Sequence, residues 1–343
     1  MSELHPLLAI LLLQAGYNTV VVMLGAAALG AATGIVGVFA MLRRRALVAD
    51  AVAHATLPGV ALGFIAAVAL GFSGKNLSFL MAGAAITAVL AALSIQWIAS
   101  RTRLTEDTAV ASVLAVFFAL GIVLLTVIQT LKTGGQAGLD IYLLGATAGM
   151  LREEAITLAA FSLIVALVVA ALFKELTLIS FDADYARAHG FPVRLLDLAV
   201  LGLVLAVVVI GLRVVGLVLI VALLITPPAA ARFWSDHTGR MTLISAAIGA
   251  VSAYVGAAIS AISPDTPTGA VIVLVAFAIL SFSVFLVPRA ESSFARSVRE
   301  DCGVHHDLIS SDRSTRSSCR HARRARLRAH REFSGIDAPE HAG

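Results

Sequence analysis

Asp50 and His54 stand four positions apart in the stretch Leu47 to Gly63, an otherwise apolar run containing Pro58 and Gly59. On a helix that spacing places both side chains on one face, one turn apart. A carboxylate and an imidazole so placed can share a cation. Pro58 has no N–H, so the carbonyl of His54 loses its helical donor. Oxygen and imidazole donors suit Mn, Fe, Zn, Ni or Co, whereas Cu(I) prefers sulfur ligands. Ca and Mg favour all-oxygen shells. One Asp and one His do not fill a coordination shell, but a second copy related by a two-fold axis would double them to four ligands. The competing reading is that Asp50 caps a helix and His54 is an interfacial residue with its hydrogen bonds satisfied. The pair alone leaves both readings open.

The elements that would position this pair are apolar spans. The chain has 343 residues, of which 59% are hydrophobic and 13% charged, with mean hydropathy +0.95. Soluble domains carry about 25% charged residues, so an ordinary soluble enzyme, a fibre and a disordered chain are all excluded. A span needs about 20 mostly apolar residues. Nine segments meet or approach this, at roughly 17–42, 54–72, 78–100, 107–131, 153–174, 195–211, 214–231, 241–262 and 268–288. The sixth and seventh can also be read as one broken helix, so the expected number is about nine, within 8–10. The fold class expected is all-α and polytopic. Asp50 and His54 fall at the start of the second span, and the fourth to ninth spans are expected to lack buried carboxylates. Gly30-Ala-Ala-Thr-Gly34 is a GxxxG, read as plain helix packing.

Charge orients these spans and divides the chain. Lys and Arg gather on the cytoplasmic side. Placing Arg43, Arg44 and Arg45 inside gathers ten basic residues on that side against four outside. The N-terminus is then outside and the C-terminal tail cytoplasmic, in a bacterial inner membrane. Three regions are expected: an interfacial segment 1–16, a transmembrane domain 17–288, and a basic tail 289–343. The tail holds 19 of the 46 charged side chains, with eleven Arg and no Lys. It reads as disordered. Cys302, His305, His306, Cys319 and His321 fit no standard zinc spacing. The body is nearly neutral, so no nucleic-acid footprint is visible.

Two inside segments read as docking elements. Residues 181–192 form a short polar helix that Asp182 or Asp184 can start and that Gly190 and Pro192 stop. Residues 225–237 carry Pro227 and Pro228, which should break the incoming span. A short helix bearing Arg232, Phe233 and Trp234 should follow, an Arg and aromatic anchor for a partner. No G-x-x-x-x-G-K-[ST] is present, nor a serine elbow, HExxH or GxGxxG in a plausible loop. No enzyme activity is therefore expected, and any ATP that drives transport is hydrolysed on another subunit.

Three stretches, in register with the spans, resemble the zinc/manganese/iron ABC importer permeases. Residues 41–63 resemble that family's basic turn followed by Gly-Asp-Ala-x-Ser-His-Ala-x-Leu-Pro-Gly. Residues Ile141 to Gly145 resemble its Tyr-Leu-x-Gly. Residues Val214 to Arg232 resemble its Val-Gly-x-Leu-Leu run that ends in Pro-Ala-Ala-x-Ar. Ala49 and Ala53 depart from the usual Gly and Ser. The resemblance covers about residues 17–288 and implies a type II importer-like permease, a homodimer in lipid. It also implies two cytoplasmic ATPase subunits and an extracellular metal-binding protein as partners. It implies that Asp50 and His54 line the cation path and that Pro228, Ala229, Ala230 and Arg232 face the ATPase. Phe233, Asp184 and Gly190 join them as expected coupling positions.

The function expected is the membrane permease of an ATP-driven importer of manganese, zinc or iron, with a lean to manganese. No tightly bound cofactor is expected, the metal being cargo. The alternatives are a secondary metal transporter, of the kind built from inverted repeats, and an ABC permease for a metal chelate.

Overall fold

A computed structural model describes residues 17–43, 45–72, 76–130, 152–262 and 267–286. All belong to the unit Met1–Val287; the second unit is Pro288–Gly343. The interfacial segment 1–16, the stretch Ile141–Gly145 and the tail residues Cys302, His305, His306, Cys319 and His321 lie outside the described residues.

Among the described residues every regular element is an α-helix: α1 Tyr17–Leu42, α2 Ala46–Ala69, α3 Leu77–Arg101, α4 Glu106–Thr130, α5 Arg152–Ala171, α6 Phe173–Phe181, α7 Ala183–Ala188, α8 Val193–Val215, α9 Leu217–Trp234, α10 Thr238–Ile262 and α11 Thr268–Leu286. Eight are long and apolar enough to cross a bilayer, and Leu219–Trp234 forms a shorter apolar helix. Each of the nine expected segments thus has its helix. Large apolar side chains such as Val116, Leu163 and Phe285 face outward, as a lipid-facing surface requires.

Small residues set the packing. α1 lies against α10, α5 and α9. The Gly30-x-x-x-Gly34 face meets the backbone of Gly249 and Ser245 on α10, with no room for a Cβ at either glycine. The Ser245 hydroxyl donates to the Gly34 carbonyl at 2.8 Å. The expectation of plain helix packing holds here. A second group gathers on α2, which contacts α3 and α4. Gly59 and Gly63 approach the backbone of Gly83 and Phe79 on α3, and Gly121 of α4 sits against Leu57 and Pro58. α2 is therefore an inner helix, 72% buried over its apolar window, and α4 an outer one at 17%.

Three local expectations change, and of the two readings of 195–231 the two-helix one holds. α2 begins at Ala46, not at residue 54. Residues 46–54 contain no Gly or Pro, so only the polarity of Asp50 and His54 had trimmed the span. α9 runs through Pro227 and Pro228 without breaking. Pro228 removes the donor to the Leu224 carbonyl, and that oxygen packs against the bare Cα of Gly37 instead. α8 and α9 are separate helices, divided at Gly216 with φ +82°. The Ile220 side chain reaches Gly211. In a straight helix nine residues span about 13.5 Å, so the chain turns sharply there. Finally, α8 does carry a half-buried carboxylate, Asp197, near its start.

Candidate functional site

Asp50 and His54 lie on the second and third turns of α2. The positions between and beside them are small and fully buried: Ala49, Ala51, Val52, Ala53 and Ala55. That packing fixes the backbone and leaves the two polar side chains half-buried, 31% and 27% exposed. Asp50 does not cap the helix; the N-cap position is Arg45, with no side-chain cap bond. The carboxylate Oδ1 stands 3.4 Å from His54 Nε2. An ion with bonds of about 2.1 Å to both atoms would see them at roughly 108°, an angle common in transition-metal shells. His54 Nδ1 is buried and has no hydrogen-bond partner among the described residues. The imidazole packs edge-on against Phe118 of α4, ring centroids 5.3 Å apart at 87°. Thr56, nearby in sequence, turns its hydroxyl back to the Ala53 carbonyl and takes no part.

Among the described residues no third His, Cys, Asp or Glu completes a metal-binding group. Within one chain the pair is half of a shell. It can hold an ion loosely, with two donors on a half-open face.

Of the two segments expected to dock, the first contains the short helix α7, whereas the second is the end of α9 and not a separate helix after a break. Asp182 caps α7, accepting from Tyr185 N at 2.8 Å. Gly190, at φ +81°, ends it; its N–H and that of Phe191 reach back to the carbonyls of Arg187 and Ala186. Glycine alone takes that conformation without strain. Asp184 pairs with Arg187 at 2.6 Å on the solvent side, and Phe181 and Tyr185 are exposed. At the end of α9, Arg232, Phe233 and Trp234 are exposed, and the Trp234 indole donates to Ser283 of α11 at 2.9 Å. Pro228 and Ala230 are buried and Ala229 half-buried, so these three brace the segment while Arg232 and Phe233 present it.

Several residues escaped sequence reasoning. Arg43 pairs with Asp197, and Arg45 with Glu106 at 2.8 Å. In the sequence both arginines mark topology and belong to the basic turn of 41–63, and nothing local shows that they form ion pairs. Phe118 carried no signal, being one apolar residue within an apolar span. The ion pairs bring the 42–46 turn, the start of α4 and the start of α8 to one end of the bundle.

Residues 17–287 match the ABC 3 transport family. The chain belongs to the ABC 3 transport family. It is 40% identical over 273 residues to the manganese transport system membrane protein MntC of Bacillus subtilis, a match covering 79% of this chain and 61% of that protein's length. It is 35% identical over 281 residues to the zinc transport system membrane protein TroC of Treponema pallidum, covering 82% and 93%. Among solved structures, PsaBC from Streptococcus pneumoniae in complex with Fab aligns with a TM-score of 0.69 at 31% identity, over 81% of this chain and 95% of that one. The motif resemblance therefore pointed to the right family. The all-helical, polytopic permease fold expected from it is the ABC 3 transport fold found here.

Proposed function

We propose that this chain is the membrane permease of an ATP-driven importer of divalent transition-metal ions, with manganese favoured over zinc and iron. The observation that carries the reading is the Asp50–His54 pair, 3.4 Å apart on the innermost span. Ionisable groups inside a membrane are costly and mark transport paths. The names of the relatives, a manganese and a zinc transport protein, support the cargo class. Oxygen and nitrogen donors fit that class as well.

The half-shell supports a homodimer in which two copies bring two carboxylates and two imidazoles to one ion. Such a site binds a desolvated ion and can release it when the two copies separate. The proposed orientation puts the 43–45 turn, α7, the end of α9 and the tail 289–343 in the cytoplasm. The permease domain is 17–288. Cytoplasmic ATPase subunits would dock on Arg232, Phe233, Asp184 and the Gly190 turn. An extracellular metal-binding protein would deliver the ion. ATP hydrolysis belongs to the separate subunit, and the chain itself is no enzyme.

The test is reconstitution with the ATPase subunit in liposomes. Wild-type complex should accumulate manganese only with ATP, and D50A/H54A should not, while still assembling. Uptake without the ATPase subunit would instead support a secondary transporter.

A further inference from the structure

Two ion pairs, Arg43–Asp197 and Arg45–Glu106, stand at the proposed cytoplasmic end, and Arg43 joins three segments. Arg43 follows directly on the last residue of α1. Its Nε and Nη2 both donate to Asp197 Oδ1, at 2.9 and 2.5 Å, and its Nη1 donates to the Ile179 carbonyl at 2.7 Å. Ile179 lies in the last turn of α6, whose terminal carbonyls lack helical donors. A cation there also suits the helix dipole. Asp197 lies on the second turn of α8. Residues 179 and 197 bracket α7 and its Gly190 turn, so a single guanidinium holds both legs of that exposed segment. Lys could not do this, because only the planar fork presents donors in two fixed directions.

The same end of α1 also receives the other exposed segment. Ala231 of α9 is buried in a cluster with Val38 and Met241, against Met41 and Leu42. On its far side Arg43 is two residues from Arg45, the N-cap of α2. Arg45 in turn holds Glu106, the first residue of α4, and α4 places Phe118 on His54. From Arg45 to Asp50 is about 7.5 Å of helix and to His54 about 13.5 Å.

We infer that Arg43 is a positioning residue that couples displacement of the α7 segment to the base of α2, and so to the Asp50–His54 pair. The inference rests on the proposed function, in which α7 meets the ATPase. Both groups of the pair are mostly buried, 17% and 22% exposed, so the linkage is stiff rather than a solvated contact. A displacement of α6 or α8 must move Arg43 or break its bonds.

The experiment uses the complete complex of this chain with its ATPase subunit, reconstituted in liposomes. Manganese uptake and ATP hydrolysis are measured together. R43Q should leave assembly and basal hydrolysis unchanged and lower the manganese delivered per ATP at least about fivefold, the low end of ordinary coupling effects. R43K, which keeps the charge but not the fork, should also lower that ratio. A merely structural role would reduce abundance while leaving the ratio at the wild-type value, and that result overturns the inference. If R43Q does not assemble, R43K decides by the same ratio. Failure of both to assemble also counts against coupling. Absence of ATP-dependent uptake in wild type, or full uptake by D50A/H54A, would sink the proposed function instead.

Discussion

The α2 pair and the Arg43 junction are both polar clusters at the edge of an apolar bundle, and they are built in opposite ways. At the junction each of the three guanidinium nitrogens of Arg43 donates to an acceptor, a carboxylate or a helix-terminal carbonyl. At the pair, His54 Nδ1 has no partner among the described residues and the Asp50–His54 contact is a long 3.4 Å. Burying an unpaired polar group costs free energy, so an under-satisfied pair on the most enclosed helix is retained for something other than stability. A saturated cluster resists motion, while an unsaturated one waits for a ligand. The difference fits the proposed division, with mechanics in one region and cargo in the other.

Breaking the ligand side should have the largest effect. D50A/H54A should lower manganese uptake by more than about 100-fold, since even changes around metal ligands cost about 10–100-fold. The protein should remain folded and assembled by size-exclusion chromatography, because both side chains are partly exposed and His54 makes only an edge contact with Phe118. Next comes the scaffold. G30L forces a branched side chain into the Gly249 backbone. It should destabilise the protein by about 1–3 kcal/mol or more, seen as a lower unfolding temperature in detergent and a loss of expressed protein.

Smaller changes sharpen the contrast. F118A removes the ring that packs on His54. An aromatic pair is worth about 0.5–1.5 kcal/mol, so the manganese concentration for half-maximal uptake should shift by about two- to twelvefold, with hydrolysis untouched. The smallest effect belongs to R187A. Its partner Asp184 is 90% exposed, and such surface pairs contribute about 0–1 kcal/mol. Thermal unfolding should barely move. A large loss of stability there would mean that α7 is held by more than its own cap and the Arg43 junction.

Much of this was legible before any coordinates. Hydropathy alone located the nine apolar helices found among the described residues, because lipid imposes one rule on every span. The sequence offers Asp182 or Asp184 as the start of α7 and Gly190 as its stop; the cap is Asp182 and the left-handed turn Gly190. The Asp50–His54 face followed from their spacing. The start of α2 did not, because polar side chains inside a span look like its border. The run through Pro227 and Pro228 was equally hidden, since only the neighbouring helix shows where a freed carbonyl goes. Arg43–Asp197, Arg45–Glu106 and His54–Phe118 are contacts between helices distant in sequence, and no local pattern encodes them.

The central claim is that Asp50 and His54 hold the transported ion. Anomalous scattering at the manganese edge from crystals of the complete complex, grown with manganese, tests it directly. The account predicts one peak between two copies of the chain, about 2.0–2.3 Å from the carboxylate and imidazole donors of each. A peak elsewhere in the bundle, or a site still occupied after D50A/H54A, would contradict it.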